Sequence, residues 1–296
     1  MARAHSSIPS SESMEYTFTI FTPCYNGAKT IQRVFDSVAR QTYVNFEWII
    51  VNDGSTDESD SVIRTLVETS PVKDKIVYIS QENMGKHRTW NKVVDVAKGE
   101  FFVPADCDDS FVPCTLEFFN SKANEIAVTA DDGKLESCRF SGINVCVYDP
   151  ETGNPVGSPY PKDGLISDNL ELNFRYKVAG EHWGCIRTDL LRKYKFPEIN
   201  GHFFAETRIW YALALDGYKV LCFNEPLRAY YHEELSLCNN TGYRRDPNRA
   251  YMALHFSVWL VWRGWFRIAR MDIVSAAKLL LTPAKAIVRL ILCKIG

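Results

Sequence analysis

The chain has 296 residues, of which 46% are hydrophobic, so it is long enough for a full core and suits one large domain with appendages. Its nine cysteines form no C-x-x-C pair and no even-numbered framework, which argues against a zinc site and against a secreted disulfide scaffold. The formal net charge of −2 hides an asymmetry, because the segment from Arg244 onward carries ten Lys or Arg against two Asp, a charge of +8. Such a basic end indicates contact with something anionic, either a membrane or nucleic acid.

Residues 1–14 are rich in Ser and lack an apolar run, so we expect a disordered leader and no signal peptide. The cysteine usage indicates a reducing compartment. We therefore expect a cytoplasmic protein, with peripheral attachment to the inner face of the cytoplasmic membrane left open by the basic end.

Four β-rich or apolar runs end in turn residues and predict strands over 16–22, 46–51, 76–79 and 101–105. Apolar residues at helical spacing predict a helix after each of the first three strands. The positions that carry this spacing are Ile31, Val34, Phe35 and Val38, then Val62, Ile63, Leu66 and Val67, then Trp90, Val93, Val94 and Ala97. Ser55 with Glu58 predicts a capping box for the second helix, and Gly99 predicts the C-cap of the third.

Alternating strands and helices of this length predict βαβ units and a parallel sheet. In such sheets ligands bind beyond the carboxyl ends of the strands. Four polar clusters each follow a predicted strand, at Thr22–Gly27, Asn52–Asp57, Asn83–Arg88 and Asp106–Asp109. Their convergence on one edge of the sheet predicts a ligand site there.

Asp106, Asp108 and Asp109 place three carboxylates within four positions at the end of a strand. Like charges this close raise one another's pKa unless a cation holds them ionised, and hard divalent cations prefer oxygen ligands. A metal site is the first hypothesis. The alternative is a solvated acidic turn that caps the next helix.

Several motifs in order carry a family resemblance: Thr-Pro-Cys-Tyr-Asn-Gly at 22–27, Trp-Ile-Ile-Val-Asn-Asp-Gly-Ser-Thr-Asp at 48–57, Asn83-Met-Gly with Asn91, and Asp-Cys-Asp-Asp at 106–109. The chain resembles the inverting family 2 glycosyltransferases across residues 16–110. The resemblance implies the glycosyltransferase A fold, a Rossmann-like α/β architecture with a mainly parallel central sheet flanked by helices. It also implies a nucleotide-diphosphate-sugar donor, a divalent metal and a single-displacement transfer to a hydroxyl.

Under this resemblance the nucleotide-binding residues are Thr22, Pro23, Tyr25, Asp53, Asn83, Lys86 and Asp106. Tyr25 offers a ring face to the base, Asp53 accepts from the base edge or ribose, and Asp106 faces the ribose or bound waters. Lys86 and Arg88 lie on a rim loop near phosphate. The alternatives are a packed turn aromatic for Tyr25, a helix-capping role for Asp53 and solvated charge for the two cations.

The metal, Mn²⁺ or Mg²⁺, is expected on Asp108, where it would offset charge on the departing nucleoside diphosphate. Asp109 is a second ligand or orients the first. Some relatives place a His on the metal from the region of Tyr230-Tyr-His, which makes His232 a candidate ligand. The alternative is that His232 is a structural residue whose hydrogen bonds are made within the protein.

Displacement at the anomeric carbon also needs a base, and a carboxylate is the usual choice. In the family the base is an acidic residue at the start of a helix, often within a Glu-Asp pair. Glu206 occupies that position here, and Thr207 stands where the Asp of the pair would be. A Glu placed favourably on the helix dipole is the alternative. Glu181 is the rival base or an acceptor contact, and His182 and Trp183 would then supply a sugar-stacking surface unless Trp183 is a buried core residue.

The predicted catalytic domain spans 15–240, with a nucleotide-binding half at 15–110 and an acceptor half at 111–240. In the second half, Ile126–Ala130 and Ser141–Tyr148 are predicted strands, and the Pro- and Gly-rich loop 149–164 is a candidate acceptor wall.

Residues 241–296 form a basic, amphipathic helical extension. No stretch there reaches the ~18 apolar residues needed to span a bilayer. Basic helices edged with Trp suit a membrane interface, and packing on the catalytic body or in a homodimer is the alternative.

The sequence therefore predicts a metal-dependent, inverting glycosyltransferase that moves one sugar from a nucleotide-diphosphate-sugar donor to a hydroxyl acceptor. Because the basic end suits a membrane surface, we expect this acceptor to be a lipid-linked glycan in surface polysaccharide synthesis. Absence of the Gln-x-x-Arg-Trp motif favours one sugar per encounter. The alternatives are a sugar-nucleotide nucleotidyltransferase, although 22–27 lacks its Gly-rich phosphate loop, and a catalytically silent membrane-associated binding module. Nucleic acid is not expected as a partner, because the basic end is too apolar.

Overall fold

The computed structural model describes residues 15–129, 139–199, 205–231 and 247–295. The leader predicted for residues 1–14 lies outside these ranges. Within them, strands and helices alternate as expected for an α/β protein.

Nine strands in the described ranges form one sheet. They are β1 (Tyr16–Cys24), β2 (Phe46–Asp53), β3 (Ile76–Gln81), β4 (Gly99–Pro104), β5 (Ser110–Phe111), β6 (Phe140–Tyr148), β7 (Leu165–Ser167), β8 (His182–Arg187) and β9 (Lys219–Ala229). The order is β3-β2-β1-β4-β8-β6-β9-β5, with β7 on β9. The first four strands are parallel, as predicted, whereas β4 and β6 pair antiparallel with β8 and make the second half mixed.

The helices of the described ranges are α1 (Ile31–Ala39), α2 (Ser59–Thr69), α3 (Lys86–Val96), α4 (Thr115–Thr129), α5 (Thr188–Lys193), α6 (Thr207–Leu215), α7 (Pro247–Met271) and α8 (Ile273–Ile295). Two apolar cores lie on opposite faces of the sheet. Strand β1 shows the alternation that this requires, because Phe18 and Ile20 pack in one core and Phe21 packs in the other.

Three local predictions are wrong. Helix α2 begins at Ser59, and Asp57 rather than Ser55 accepts its first N–H, at 3.0 Å. Gly99 is the first residue of β4, not a helix cap. It lies so close to β1 that a Cβ there would come within 2.2 Å of the Thr19 nitrogen. Residues 126–129 are the end of α4, because a short apolar run does not distinguish a strand from a helix by periodicity.

Helices α7 and α8 pack against each other and, through α7, against α6 and the π-helical turn Glu171–Arg175. Leu260 and Ile268 of α7 are buried in a small core with Tyr211 of α6. Among the described residues, none of the helices is both long enough and apolar enough to cross a membrane.

Candidate active site

The loops after β1 and β2 are bonded directly to each other. The backbone N–H of Gly27 donates to Ser59 Oγ at 2.9 Å, and the N–H of Thr56 donates to Asn26 Oδ1 at 2.8 Å. Asn26 adopts a left-handed conformation, with φ of 55°, a region that Asn tolerates better than most residues. The first two polar clusters therefore form one connected rim.

Asp53, at the end of β2, holds the loop that follows β3. Its buried carboxylate accepts from Gln81 Nε2 at 2.8 Å and from the backbone N–H groups of Met84 and Gly85 at 3.0 and 2.8 Å. Gly54 lies against the same loop at φ of 74°, and a Cβ there would come within 2.5 Å of the Asn83 nitrogen. The third cluster is thus fixed to the second.

The three carboxylates after β4 lie together. Asp106, Asp108 and Asp109 offer oxygen atoms that are all within 4.8 Å of one another. Asp109 is buried and forms an ion pair with Arg228 of β9, Nε to Oδ2 at 2.8 Å. Of the three, Asp108 alone has no ion pair among the described residues, so it is the most available ligand.

Lys86, the first residue of α3, connects this cluster to the start of α6. Its Nζ lies 2.8 Å from Asp106 Oδ1 and 3.1 Å from Glu206 Oε1. The three side chains are between 29% and 36% exposed, so solvent reaches all of them. The structure thereby brings two predicted nucleotide-binding residues, Lys86 and Asp106, together with the predicted base Glu206, which lies 100 or more positions further along the chain.

The electrostatics of the cluster follow from burial and from these pairs. Burial acts to lower the pKa of Lys86, but the carboxylates of Asp106 and Glu206 outweigh it and raise that pKa. Burial raises the pKa of Asp109 to about 7, an effect that Arg228 offsets only in part. Burial and the neighbouring Asp106 charge also raise the pKa of Asp108. Two carboxyls of the cluster therefore hold their protons more tightly than an ordinary Asp.

The raised pKa values of Asp108 and Asp109 show that these carboxyls have too little positive charge near them, and this observation tests whether the cluster fits a metal. A divalent cation between the carboxylates would supply the positive charge that keeps Asp108 and Asp109 ionised, and three oxygen donors suit Mn²⁺ or Mg²⁺. The donor set thus fits a hard divalent metal. His232, predicted as a further ligand, lies outside the described residues.

The remaining predicted nucleotide-binding residues differ in availability. Tyr25 is 54% exposed, and Asn83 is exposed on the rim. Thr22 is completely buried, and its Oγ1 accepts from Trp48 Nε1 at 3.0 Å, so its hydroxyl is engaged in the core. Pro23 is half-buried beside it.

Trp183 is a core residue rather than a sugar-stacking surface. It is buried, it stacks on Phe111 with ring centroids 4.7 Å apart, and its Nε1 donates to the Pro104 carbonyl at 2.6 Å. His182 Nε2 lies 2.8 Å from the Ser158 carbonyl. Glu181, the rival base, is exposed.

Two arginines at the site were not predicted. Arg33 of α1 donates to the Asp108 carbonyl at 2.7 Å and lies over the Tyr231 ring, 3.6 Å from its centroid. Arg228 pairs with Asp109 from a buried position on β9. The position of Arg228 between the apolar residues Leu227 and Ala229 of β9 is the one signal that could have identified it.

Similar solved structures define the fold class. The S. aureus TarS 1-349 structure in complex with UDP-GlcNAc has a TM-score of 0.58 at 16% identity and covers 91% of this chain and 72% of its own. A mannosyltransferase from Pyrobaculum calidifontis, in complex with GDP-Man and Mn²⁺, has a TM-score of 0.57 at 19% identity. The match covers 94% of this chain and 74% of the mannosyltransferase chain. The fold is the glycosyltransferase A fold, as the resemblance implied.

Residues 19–128 match the model of glycosyl transferase family 2, which confirms the family resemblance for this part of the chain. A chondroitin synthase of Pasteurella multocida is 38% identical over 127 residues, 40% of this chain and 13% of its own. An uncharacterized glycosyltransferase of Rickettsia felis is 36% identical over 167 residues, which are 56% of this chain and 26% of the relative. The matches span less than a third of the length of these curated relatives.

Proposed function

We propose that the protein is a metal-dependent, inverting glycosyltransferase that moves one sugar from a nucleotide-diphosphate-sugar donor to a hydroxyl of a glycan acceptor. The observation that carries the proposal is the contact of Lys86 with both Asp106 and Glu206. It joins a donor-side carboxylate and a candidate base at the edge of the sheet where ligands bind in this type of fold.

Asp108 and Asp109 are the residues that would hold the metal, with Asp106 beside them. The metal would supply positive charge to the diphosphate of the donor. Arg33 and Arg228 fix the loop that carries these carboxylates, one through the Asp108 carbonyl and one through the Asp109 side chain. The loop is thus held in place before any ligand arrives.

Glu206 is the proposed base. In the transfer, the acceptor oxygen forms a bond to the anomeric carbon as the bond to the nucleoside diphosphate breaks, and Glu206 takes the acceptor proton. Lys86 holds Glu206 near the donor side and places an ammonium group where the departing diphosphate gains charge. Attack opposite the leaving group inverts the anomeric configuration.

The comparisons support the donor class. The neighbouring structures are named as complexes with UDP-GlcNAc and with GDP-Man and Mn²⁺, and the Pasteurella relatives are named as chondroitin and hyaluronan synthases. We infer that the acceptor is a lipid-linked glycan of a surface polysaccharide, because the chain carries a basic amphipathic end.

The test is a donor panel. The purified full chain is incubated with Mn²⁺ or Mg²⁺ and each common uridine, guanosine and cytidine sugar nucleotide, and release of free nucleotide is followed. Glu206→Gln and Asp108→Asn are run beside the native chain, and Asp74→Asn, an exposed aspartate of the turn before β3, is the matched control. Metal-dependent release from one donor, lost in the first two variants only, supports the proposal. If no donor releases nucleotide with either metal, the proposal fails and a non-catalytic binding module becomes the preferred function.

A further inference from the structure

Helices α7 and α8 have an outward surface that is strongly apolar. Trp262 and Phe266 of α7 are 82% and 79% exposed, one helical turn apart. Eight aliphatic residues of α8 are between 46% and 63% exposed. They are Ile273, Val274, Leu280, Leu281, Ile287, Val288, Ile291 and Leu292. These ten residues are called the outer surface below.

The exposed residues of α8 are not scattered around the helix. At 3.6 residues per turn, the eight aliphatic positions fall on one broad side. Ala276 and Ala286, which are buried, mark a different side that packs inward. Lys278, Lys285 and Arg289 follow one another at steps of seven and four, so they line one edge of the apolar side, and all three are exposed. The helix therefore has three separate strips: packed, apolar and basic.

Two basic residues of α7, Arg263 and Arg267, form ion pairs with the body of the protein. Arg263 pairs with Asp216 at 2.6 Å, and Arg267 pairs with the buried Asp168 and with the Ala214 carbonyl. Trp265 of α7 donates to the Ala276 carbonyl of α8 at 3.1 Å. These contacts hold the helix pair to the body through its inward side. Packing on the body and an exposed outer surface therefore occur in the same two helices.

Charge decides which partner suits the outer surface. Residues 273–295 contain four Lys or Arg and no Asp or Glu. A second copy of this chain placed symmetrically on the surface would bring the basic strips of two α8 helices near each other, which is unfavourable. An anionic lipid surface matches both strips, because the acyl region takes the apolar side chains and the headgroups attract the cations at the edge.

We propose that the outer surface of α7 and α8 binds an anionic phospholipid bilayer, with both helices lying along the plane of the interface. Trp262 and Phe266 enter the boundary between headgroups and acyl chains, and Lys278, Lys285 and Arg289 contact the headgroups. The inward ion pairs of Arg263 and Arg267 hold the body at a fixed orientation on that surface. This inference does not depend on the proposed catalytic activity.

The test is sedimentation of the full chain with vesicles of phosphatidylcholine alone and of phosphatidylcholine with phosphatidylglycerol. One variant carries Trp262→Ser with Phe266→Ser, and a second carries Lys278→Gln, Lys285→Gln and Arg289→Gln. Val44→Ser, at an exposed apolar position away from these helices, is the matched control. Thermal unfolding and solution mass are measured for each protein, so that a folding defect or a change of oligomer is seen separately.

The native chain should bind the anionic vesicles and bind neutral ones much more weakly. The triple variant should lose about 100-fold in partitioning to anionic vesicles at low salt, since each surface cation contributes about fivefold. The aromatic variant should lose at least about tenfold on both vesicle types. No binding by the native chain to anionic vesicles would overturn the proposal. A stable dimer that the aromatic variant separates, without vesicle binding, would assign the surface to a second copy instead.

Discussion

The ammonium group of Lys86 lies 3.1 Å from the carboxylate of Glu206, although the first residue opens α3 and the second immediately precedes α6. The same ammonium group lies 2.8 Å from Asp106. One cation therefore connects the end of β4 with the start of a helix from the second half of the chain. The proposed donor and acceptor sides of the reaction meet at this contact.

Replacement of Glu206 by Gln should abolish most transfer while donor binding remains. Gln keeps the size of the side chain but takes no proton from the acceptor, and general bases typically contribute ~10²–10⁴-fold to rate. The measurement is kcat for transfer together with the Kd for the nucleoside diphosphate in the presence of Mn²⁺. Glu181→Gln is the control, and a larger loss in that variant would make Glu181 the base.

Replacement of Lys86 by Met should weaken donor binding and slow transfer together. Without the ammonium group, Asp106 and Glu206 lose their shared partner and the diphosphate loses a countercharge. We expect kcat/KM to fall by about 10–100-fold, or ~1.4–2.8 kcal/mol. Lys73→Met, at an exposed position before β3, is the control. Unchanged kinetics in the Lys86 variant would mean that the contact is incidental.

Replacement of Asp53 by Asn should destabilise the rim even without ligand. The carboxylate accepts from one side chain and two backbone N–H groups, and an amide in its place would turn an NH₂ group toward one of these donors. Leaving a buried donor unsatisfied costs about 1–3 kcal/mol. The measurement is the free energy of unfolding in urea. A loss no larger than that of Asp74→Asn would show that Asp53 does not support the loop.

The pair of Arg228 and Asp109 offers a double-mutant cycle. Arg228→Met leaves a buried carboxylate without its partner, which should cost about 3–5 kcal/mol of unfolding free energy. Adding Asp109→Asn to that variant removes the uncompensated charge and should recover a large part of the loss. Additive effects of the two changes would contradict a coupled pair.

Much of the first half of the fold could be predicted, because each element there has a local signal. The spacing of Val34, Phe35 and Val38 identifies α1, and the apolar runs identify β1 to β4. The start of α2 could not be predicted, because the choice between Ser55 and Ser59 depends on where Asp57 points in the folded loop. The role of Gly99 likewise could not be predicted, because the glycine allows a close approach of β1, which is a tertiary contact.

The site was predictable by residue type but not by partner. The carboxylates at 106–109 and the base candidate Glu206 were identified from sequence, and the structure brings Asp106 and Glu206 to one cation. Their pairing with Lys86, and that of Asp109 with Arg228, joins residues far apart in the chain. No local pattern encodes such pairs. Thr22 illustrates the same limit, since its hydroxyl faces Trp48 in the core.

The most direct measurement is titration calorimetry of the full chain with UDP, GDP and CDP, each with Mn²⁺, with Mg²⁺ and with a chelator. We predict that one nucleotide binds with metal and binds at least about tenfold more weakly with chelator, because a metal would supply positive charge between the carboxylates and the diphosphate. Asp108→Asn should remove the metal dependence while the protein stays folded. Equal binding with and without metal, or no binding of any nucleotide, would contradict a metal-dependent nucleotide-sugar site.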